Sequence, residues 1–219
     1  MYTNVTTYHN IVNTLTPQQV TLVAVSKTKP AAAITELYDL GQRHFGENYV
    51  QELVDKQEQL PSDVMWHFIG HLQSNKVKYI APFIHLIHGV DSEKLLVEIN
   101  KQAQKNNRII NCLLQMHIAK EETKFGLDAA ELQEIVTKVK NNIYPNVNVT
   151  GLMAMASFTT KQAELQQEFI LLQNTYTNLQ THYPNLTTLS SGMSSDYQLA
   201  IQYGSTMVRI GSLLFGSRV

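Results

Sequence analysis

Apolar positions along this chain fall into short runs rich in β-branched residues, separated by stretches with helical spacing. The run at 21–25, Thr-Leu-Val-Ala-Val, reads as a buried strand. Pro30 stops it and suits the first turn of a helix. Residues 31–40 place Ile34, Leu37, Tyr38 and Leu40 near helical spacing, and Gly41 supplies a C-cap. A short strand and turn at 44–48 leads into a helix at 49–60, which Pro61 ends. Further strands are expected at 65–70, 83–90, 108–118, 147–153, 186–189 and 206–210. Helices are expected at 77–80, from 91 to about 105, at 128–140, 161–182 and 196–203, with a short one after Gly211-Ser212. Asp91 is the expected cap of the helix that follows it, and Ser74 or Asn75 that of the helix at 77–80. Residues before Thr16 read as a short covering helix.

Strand and helix therefore alternate about eight times with short connections, which is the arithmetic of an α/β fold, a single (β/α)8 TIM barrel domain over 1–219. An open doubly wound sheet is the alternative. It needs two edge strands, and no short, charged strand suits that place.

Composition changes little in this picture and removes several classes of function. Hydrophobic residues make up 43% and charged residues 16% of the 219, enough apolar material for a core. Formal charge is 17 − 18 = −1 and no basic patch stands out, so nucleic acid is not indicated. Cys112 is the sole cysteine. It sits in an apolar run and reads as a core residue, with no disulfide framework and no cysteine cluster for zinc. The first residues lack a signal-peptide pattern, and no apolar run approaches the ~18 residues of a membrane span. A cytoplasmic protein without membrane contact is expected.

Ligands of such barrels bind at the carboxyl ends of the strands. Those ends carry Lys27, Asn48, Gly70, His117, Met153, the segment Ser190-Ser191-Gly192-Met193-Ser194, and the segment from Arg209 to Ser212. The last two follow the seventh and eighth strands, where barrel phosphate sites commonly form. Ser190 and Ser194 offer hydroxyls, and Gly192 and Gly211 allow close backbone approach. A lysine at the end of a buried strand is placed to react with a carbonyl. A surface lysine in a βα loop is the alternative, and Lys29 competes with Lys27. Lysine plus phosphate cradle fits a Schiff base with a phosphorylated sugar, as in aldolases, or with pyridoxal 5′-phosphate. Arg209 bears on the second, because a pyridoxal ring nitrogen is met by either an acid or an arginine. Arginine only donates, which leaves the ring a weaker electron sink.

The stretch Ala24-Val25-Ser26-Lys27-Thr28-Lys29-Pro30 resembles the lysine motif of the pyridoxal phosphate homeostasis proteins, the YggS/PROSC family. So do Phe45-Gly46-Glu47-Asn48-Tyr49, Trp66-His67-Phe68-Ile69-Gly70, Leu72-Gln73-Ser74-Asn75-Lys76, Lys124-Phe125-Gly126, Gly151-Leu152-Met153-Ala154-Met155, Gly192-Met193-Ser194 and Gly204-Ser205-Thr206-Met207-Val208-Arg209-Ile210-Gly211. The matches run in order over nearly the whole chain. The resemblance implies a barrel of the alanine racemase N-terminal-domain type, carrying pyridoxal 5′-phosphate as a Schiff base on Lys27. It implies phosphate contacts from Ser190, Gly192, Met193, Ser194, Gly211 and Ser212. Arg209 would meet the ring nitrogen, and Asn48 and Met153 would flank the cofactor. Lys124 matches a family lysine, with a surface salt bridge as the plainer reading, and His67 faces either core or pocket. The chain stops at Arg218-Val219, without the short basic tail of some members.

Racemases of this fold set a second acid–base group, from a further domain, opposite the lysine. That domain is expected to be missing here, and racemisation needs a proton donor and acceptor on opposite faces. The expectation is a monomeric, non-catalytic pyridoxal phosphate binder that buffers the cofactor or delivers it to apo-enzymes. A racemase-like pyridoxal enzyme is the alternative.

Overall fold

The computed structural model of the chain describes residues 2–121 and 125–216. Lys124 and the Arg218-Val219 end lie outside the described residues. Eight parallel strands close into a barrel in sequence order. They are β1 (Thr21–Val25), β2 (His44–Glu47), β3 (Met65–Phe68), β4 (Leu86–Val90), β5 (Ile110–Gln115), β6 (Val147–Met153), β7 (Thr188–Ser190) and β8 (Met207–Ile210). Leu22 pairs with Val208 across the β1–β8 seam, so no strand is left as an edge and the open sheet is excluded.

The helices are α1 (Val5–Leu15), α2 (Ala31–Asp39), α3 (Val50–Gln57), α4 (Val77–Ile80), α5 (Glu93–Lys105), α6 (Ala129–Lys140), α7 (Gln162–His182), α8 (Tyr197–Gln202) and α9 (Ser212–Phe215). None is long and apolar enough to cross a membrane.

Alternation along each strand sorts the side chains into two cores. Outward-facing residues such as Ala24, Phe45, Ile87, Leu114 and Val208 pack under the helices in one large apolar cluster. Cys112 is fully buried there, which pushes its thiol far above the ordinary range and makes it inert. Inward-facing Val23, Leu86, Leu113, Met153 and Met207 form a smaller plug inside the barrel. Beside that plug stand buried polar residues, namely His67, His88, Ser190 and Arg209.

Differences from the sequence reading lie at element ends, and each has a local cause. Phe83 and Ile84 do not join β4, because their amides still bond to Ile80 at the end of α4. Arg108 does not join β5; its guanidinium reaches the carbonyls of Ala81 and Ile84. β7 starts later than expected, since the Leu186 amide closes a turn onto Tyr183. Ser92, not Asp91, caps α5, with its hydroxyl accepting from the Leu95 amide at 3.4 Å. Asp91 is drawn to His71 instead. Neither Ser74 nor Asn75 caps α4; they form a 3-10 turn in front of it. Asp128 does cap α6, in a reciprocal box with Glu131.

The seam between β6 and β7 is closed at Gly151, where an added Cβ would stand 1.7 Å from the Thr188 carbonyl oxygen. Forced overpacking of this kind costs on the order of 1–3 kcal/mol or more. Gly151→Ala is therefore expected to lower the melting temperature, by about 2–4 °C per kcal/mol in a domain of this size. Thermal denaturation followed by circular dichroism measures it, and an unchanged melting temperature would contradict this packing.

Candidate functional site

The carboxyl ends of the strands open on a cavity of about 460 Å³. Lys27, Thr28 and Lys29 line it from the turn after β1, and Asn48 from the end of β2. Met155 follows β6, Met193, Ser194 and Ser195 follow β7, and Arg209, Gly211 and Ser212 belong to the end of β8. A volume of this size suits a small-molecule cofactor.

Buried charge holds the lysine turn in place. Thr28 adopts φ +64°, a left-handed conformation that a β-branched residue takes only under constraint. Its amide donates to Glu52 Oε2 at 2.8 Å. Lys56 bonds that same oxygen at 3.0 Å, Glu47 Oε1 at 2.7 Å and the Ser26 carbonyl at 3.0 Å. The Ser26 hydroxyl donates to Glu47 Oε1 at 2.6 Å. Burial raises the Glu47 carboxyl above its ordinary range, with Lys56 and Ser26 pulling the other way. Ser26 and Lys29 close the turn through an amide-to-carbonyl bond of 3.0 Å. Both lysines therefore face the cavity from one rigid turn.

Asn48 is fixed by its neighbour. An added Cβ at Gly70 would stand 2.5 Å from the Asn48 carbonyl oxygen, so only glycine lets the two strand ends approach. The Asn48 Oδ1 atom is buried without a hydrogen-bond partner and belongs to a cavity-lining residue. Such an atom calls for a polar ligand group.

Across the cavity, the β7 turn depends on Gly192. Its φ of +91° and a Cβ position 2.7 Å from that of Ala200 exclude any side chain. Its carbonyl accepts from the Arg209 amide at 3.0 Å, and the Met193 amide donates to Asp196 Oδ1. The Ser194 hydroxyl accepts from the Gly211 amide at 3.4 Å, so the β7 and β8 turns form one polar wall.

Arg209 is buried at the top of the barrel interior. It donates to the Ser190 carbonyl at 2.9 Å, to the Ser190 hydroxyl at 2.6 Å and to the Ala154 carbonyl at 2.9 Å. Burial pulls its pKa down to about 10, opposed by Asp196, which leaves the guanidinium charged at neutral pH. Below it the contacts continue: Ser190 Oγ to His88 Nδ1 at 3.1 Å, His88 Nε2 to His67 Nδ1 at 2.8 Å, and His67 Nε2 to His44 Nδ1 at 2.8 Å. A donor-only guanidinium leaves Ser190 free to donate in turn. Ser190 accepts from Arg209 and has its own hydrogen to give; with that hydrogen on His88 Nδ1, each histidine of the column carries its proton on Nε2.

Seven predicted residues are brought together around the cavity: Lys27, Asn48, Met193, Ser194, Arg209, Gly211 and Ser212. Three are placed elsewhere. Met153 and Ser190 face each other across the β6–β7 pair one layer below the cavity. Met153 belongs to the inner plug and Met155, two residues on, reaches the cavity in its place. The Ser190 hydroxyl is committed to Arg209 and His88. Gly192 shapes the turn without lining the cavity. His67 faces the core, and His117 turns its ring to the Glu121 carbonyl. Sequence reasoning did not find the Glu47–Lys56–Glu52 cluster or the histidine column; the placing of Ser26 beside Lys27 and of Glu47 beside Asn48 was the available signal.

The sequence profile of the alanine racemase N-terminal domain matches residues 5–219. The chain is 43% identical over 209 residues to the pyridoxal phosphate homeostasis protein of Escherichia coli K12, covering 92% of this chain and 87% of that protein. The chain belongs to the pyridoxal phosphate homeostasis protein family. A family member from Schizosaccharomyces pombe is 41% identical, with 92% and 85% covered. The solved structure of the family member PipY from Synechococcus elongatus with pyridoxal phosphate bound is similar at a TM-score of 0.87 and 39% identity, over 96% of this chain and 98% of that one. The same protein without the cofactor gives 0.90.

The column makes this family member acid-sensitive. Burial, and then the neighbouring Arg209 and histidines, holds His88 far below the ordinary histidine range; burial and His88 do the same to His67. Both stay neutral in the folded chain and take up protons on unfolding below about pH 6.5. Stability is thus full above that pH and lost as pH falls through it, by up to about 1.4 kcal/mol per pH unit for each group. Denaturant unfolding between pH 8 and 5 is expected to show the loss, and a flat profile would refute the neutral column.

Proposed function

We propose that this chain binds pyridoxal 5′-phosphate in the cavity at the carboxyl mouth of its barrel, as a Schiff base on Lys27. It acts there as a reversible holder that buffers the cofactor and releases it to enzymes that need it. When bound, the cofactor supplies an aldehyde that condenses reversibly with a primary amine. The residues present fit that group. Lys27 brings the amine from a pinned turn, and the unpartnered Asn48 oxygen meets a polar substituent of the ring. Ser194, Ser212 and the Gly211 backbone provide a phosphate wall with Met193 beside it. Arg209, donor-only and charged, faces a ring nitrogen that has to accept.

One observation carries the holding role. Among the described residues lining the cavity, the ionisable side chains are Lys27, Lys29 and Arg209, two amines and a guanidinium that enter from the β1 and β8 ends. β1 and β8 are neighbours, so these groups approach from one side. Racemisation draws on groups at both faces of the reacting carbon. Away from the β1 and β8 ends, the lining after β6 and β7 is Met155, Phe158, Met193, Ser194 and Ser195. Arg209 adds to this, because an unprotonated ring withdraws electrons weakly.

The test is cofactor binding together with exchange chemistry. The wild-type chain is expected to take up one equivalent of cofactor with a visible Schiff-base band. Lys27→Ala loses the band and weakens binding by at least about tenfold, a loss of 1.4 kcal/mol or more. Lys29→Ala keeps the band. Amino acids incubated with the loaded protein in D₂O show no α-carbon exchange above that of free cofactor. Retention of the band in Lys27→Ala overturns the attachment, and rapid exchange for one amino acid turns the reading to a racemase-like enzyme.

Asn48→Ala checks the orphaned oxygen. It removes one hydrogen bond to the ligand, worth about 0.5–1.5 kcal/mol, and weakens cofactor binding roughly 2- to 10-fold. Calorimetric titration of the cofactor-free variant measures it, and unchanged affinity would remove Asn48 from the site.

A further inference from the structure

The opposite mouth of the barrel carries a cluster that the cofactor cavity does not use. His44 opens β2, His67 lies in β3 and His85 directly precedes β4, so three neighbouring strands each deliver one imidazole to the amino-terminal end. Their ring centroids stand 5.1 Å (His44–His67), 5.3 Å (His67–His85) and 5.8 Å (His44–His85) apart. One ligating nitrogen from each ring lies within 4.8 Å of the other two. Zinc–imidazole bonds of about 2.0–2.1 Å place a ring centroid roughly 3.2 Å from the metal, and tetrahedral angles then separate centroids by about 5.2 Å. The observed triangle has nearly that size.

We propose that His44, His67 and His85 form a site for a zinc-type divalent metal ion, with a fourth position left for water. Three imidazoles and an open position make a known zinc donor set. A ligating histidine needs its other nitrogen held by a second partner. His67 has one, since its Nδ1 meets His88 Nε2 at 2.8 Å in a fully buried pair. His44 and His85 are half-buried at the rim, so an ion can reach them from solvent. The opposing charge is Arg108, which acts on His85; its guanidinium is tied down by the Ala81 and Ile84 carbonyls.

Binding has a defined consequence inside the barrel. His67 Nε2 and His44 Nδ1 now share one hydrogen at 2.8 Å. With metal between them they stand about 3.3 Å apart, a shift of side-chain torsions. His67 then carries its proton on Nδ1 and donates it to His88. His88 carries its own on Nδ1 and donates to Ser190. No proton is gained or lost: each ring keeps one and only its place changes. The column reverses its direction: Ser190 accepts from Arg209 and from His88, and its hydroxyl hydrogen turns away from His88.

The test uses the tag-free chain as purified. Calorimetric titration with Zn²⁺ is expected to give one site per chain, and Co²⁺ to give the intense visible bands of tetrahedral coordination. His85→Gln and His44→Gln each weaken Zn²⁺ binding by at least about tenfold. The exposed pair His9→Gln and His182→Gln leaves it unchanged. Nitrogen-15 spectra show the His67 and His88 protons moving from Nε2 to Nδ1 as Zn²⁺ is added. His85 lies outside the strands, so His85→Gln decides the matter if His44→Gln folds poorly. Absent Zn²⁺ binding, binding that survives His85→Gln, or a six-coordinate Co²⁺ spectrum overturns the proposal. All these readouts are independent of cofactor loading.

Discussion

A guanidinium buried inside a barrel must find acceptors, and the needs of Arg209 organise much of this molecule. It takes the Ser190 carbonyl and hydroxyl and the Ala154 carbonyl, and so ties together the tops of β6, β7 and β8. An unmade bond to a buried charge costs more than an ordinary hydrogen bond contributes, so these three strand ends have little freedom to part. The wall that faces the cavity, from Met193 to Ser195 and from Gly211 to Ser212, stands on that junction. The same demand engages the Ser190 hydroxyl. It also joins the guanidinium, through Ser190, to the run of histidines beneath.

The β1 turn is held by a second buried arrangement of unlike charges. Lys56 links Glu47, Glu52 and the Ser26 carbonyl, and Glu52 in turn holds the strained amide of Thr28. Left-handed backbone at a β-branched residue costs on the order of 1–3 kcal/mol, and such strain persists where the surroundings over-determine it. The result is a lysine turn with a fixed bearing on the cavity. Rigid presentation serves a holder well, because ordering the amine in advance lowers the entropy lost on binding.

Much of the barrel could be read in the chain, because alternation and punctuation are local signals. Gly41, Asp128 and the run from Val147 to Met153 announce their roles within a few residues. The errors came where the outcome depends on partners far away in sequence. Met153 and Ser190 pair across β6 and β7 without lining the cavity, since depth along a barrel strand is set by register with neighbouring strands. Asp91 lost the cap of α5 to Ser92 because His71, distant in sequence, claimed its carboxylate. The column of His44, His67 and His88 is spread over three strands that only sheet pairing brings side by side. Lys27 and Lys29 both line the cavity, so geometry by itself does not separate them; the proposal of Lys27 rests on the resemblance of its motif.

The central claim is that one lysine of this turn tethers the cofactor. Borohydride reduction of the cofactor-loaded chain, followed by peptide mass spectrometry, tests it most directly. The expected result is a single pyridoxyl group on the peptide at Lys27. A pyridoxyl group on Lys29 alone, or no modified lysine in the β1 turn, would contradict the account.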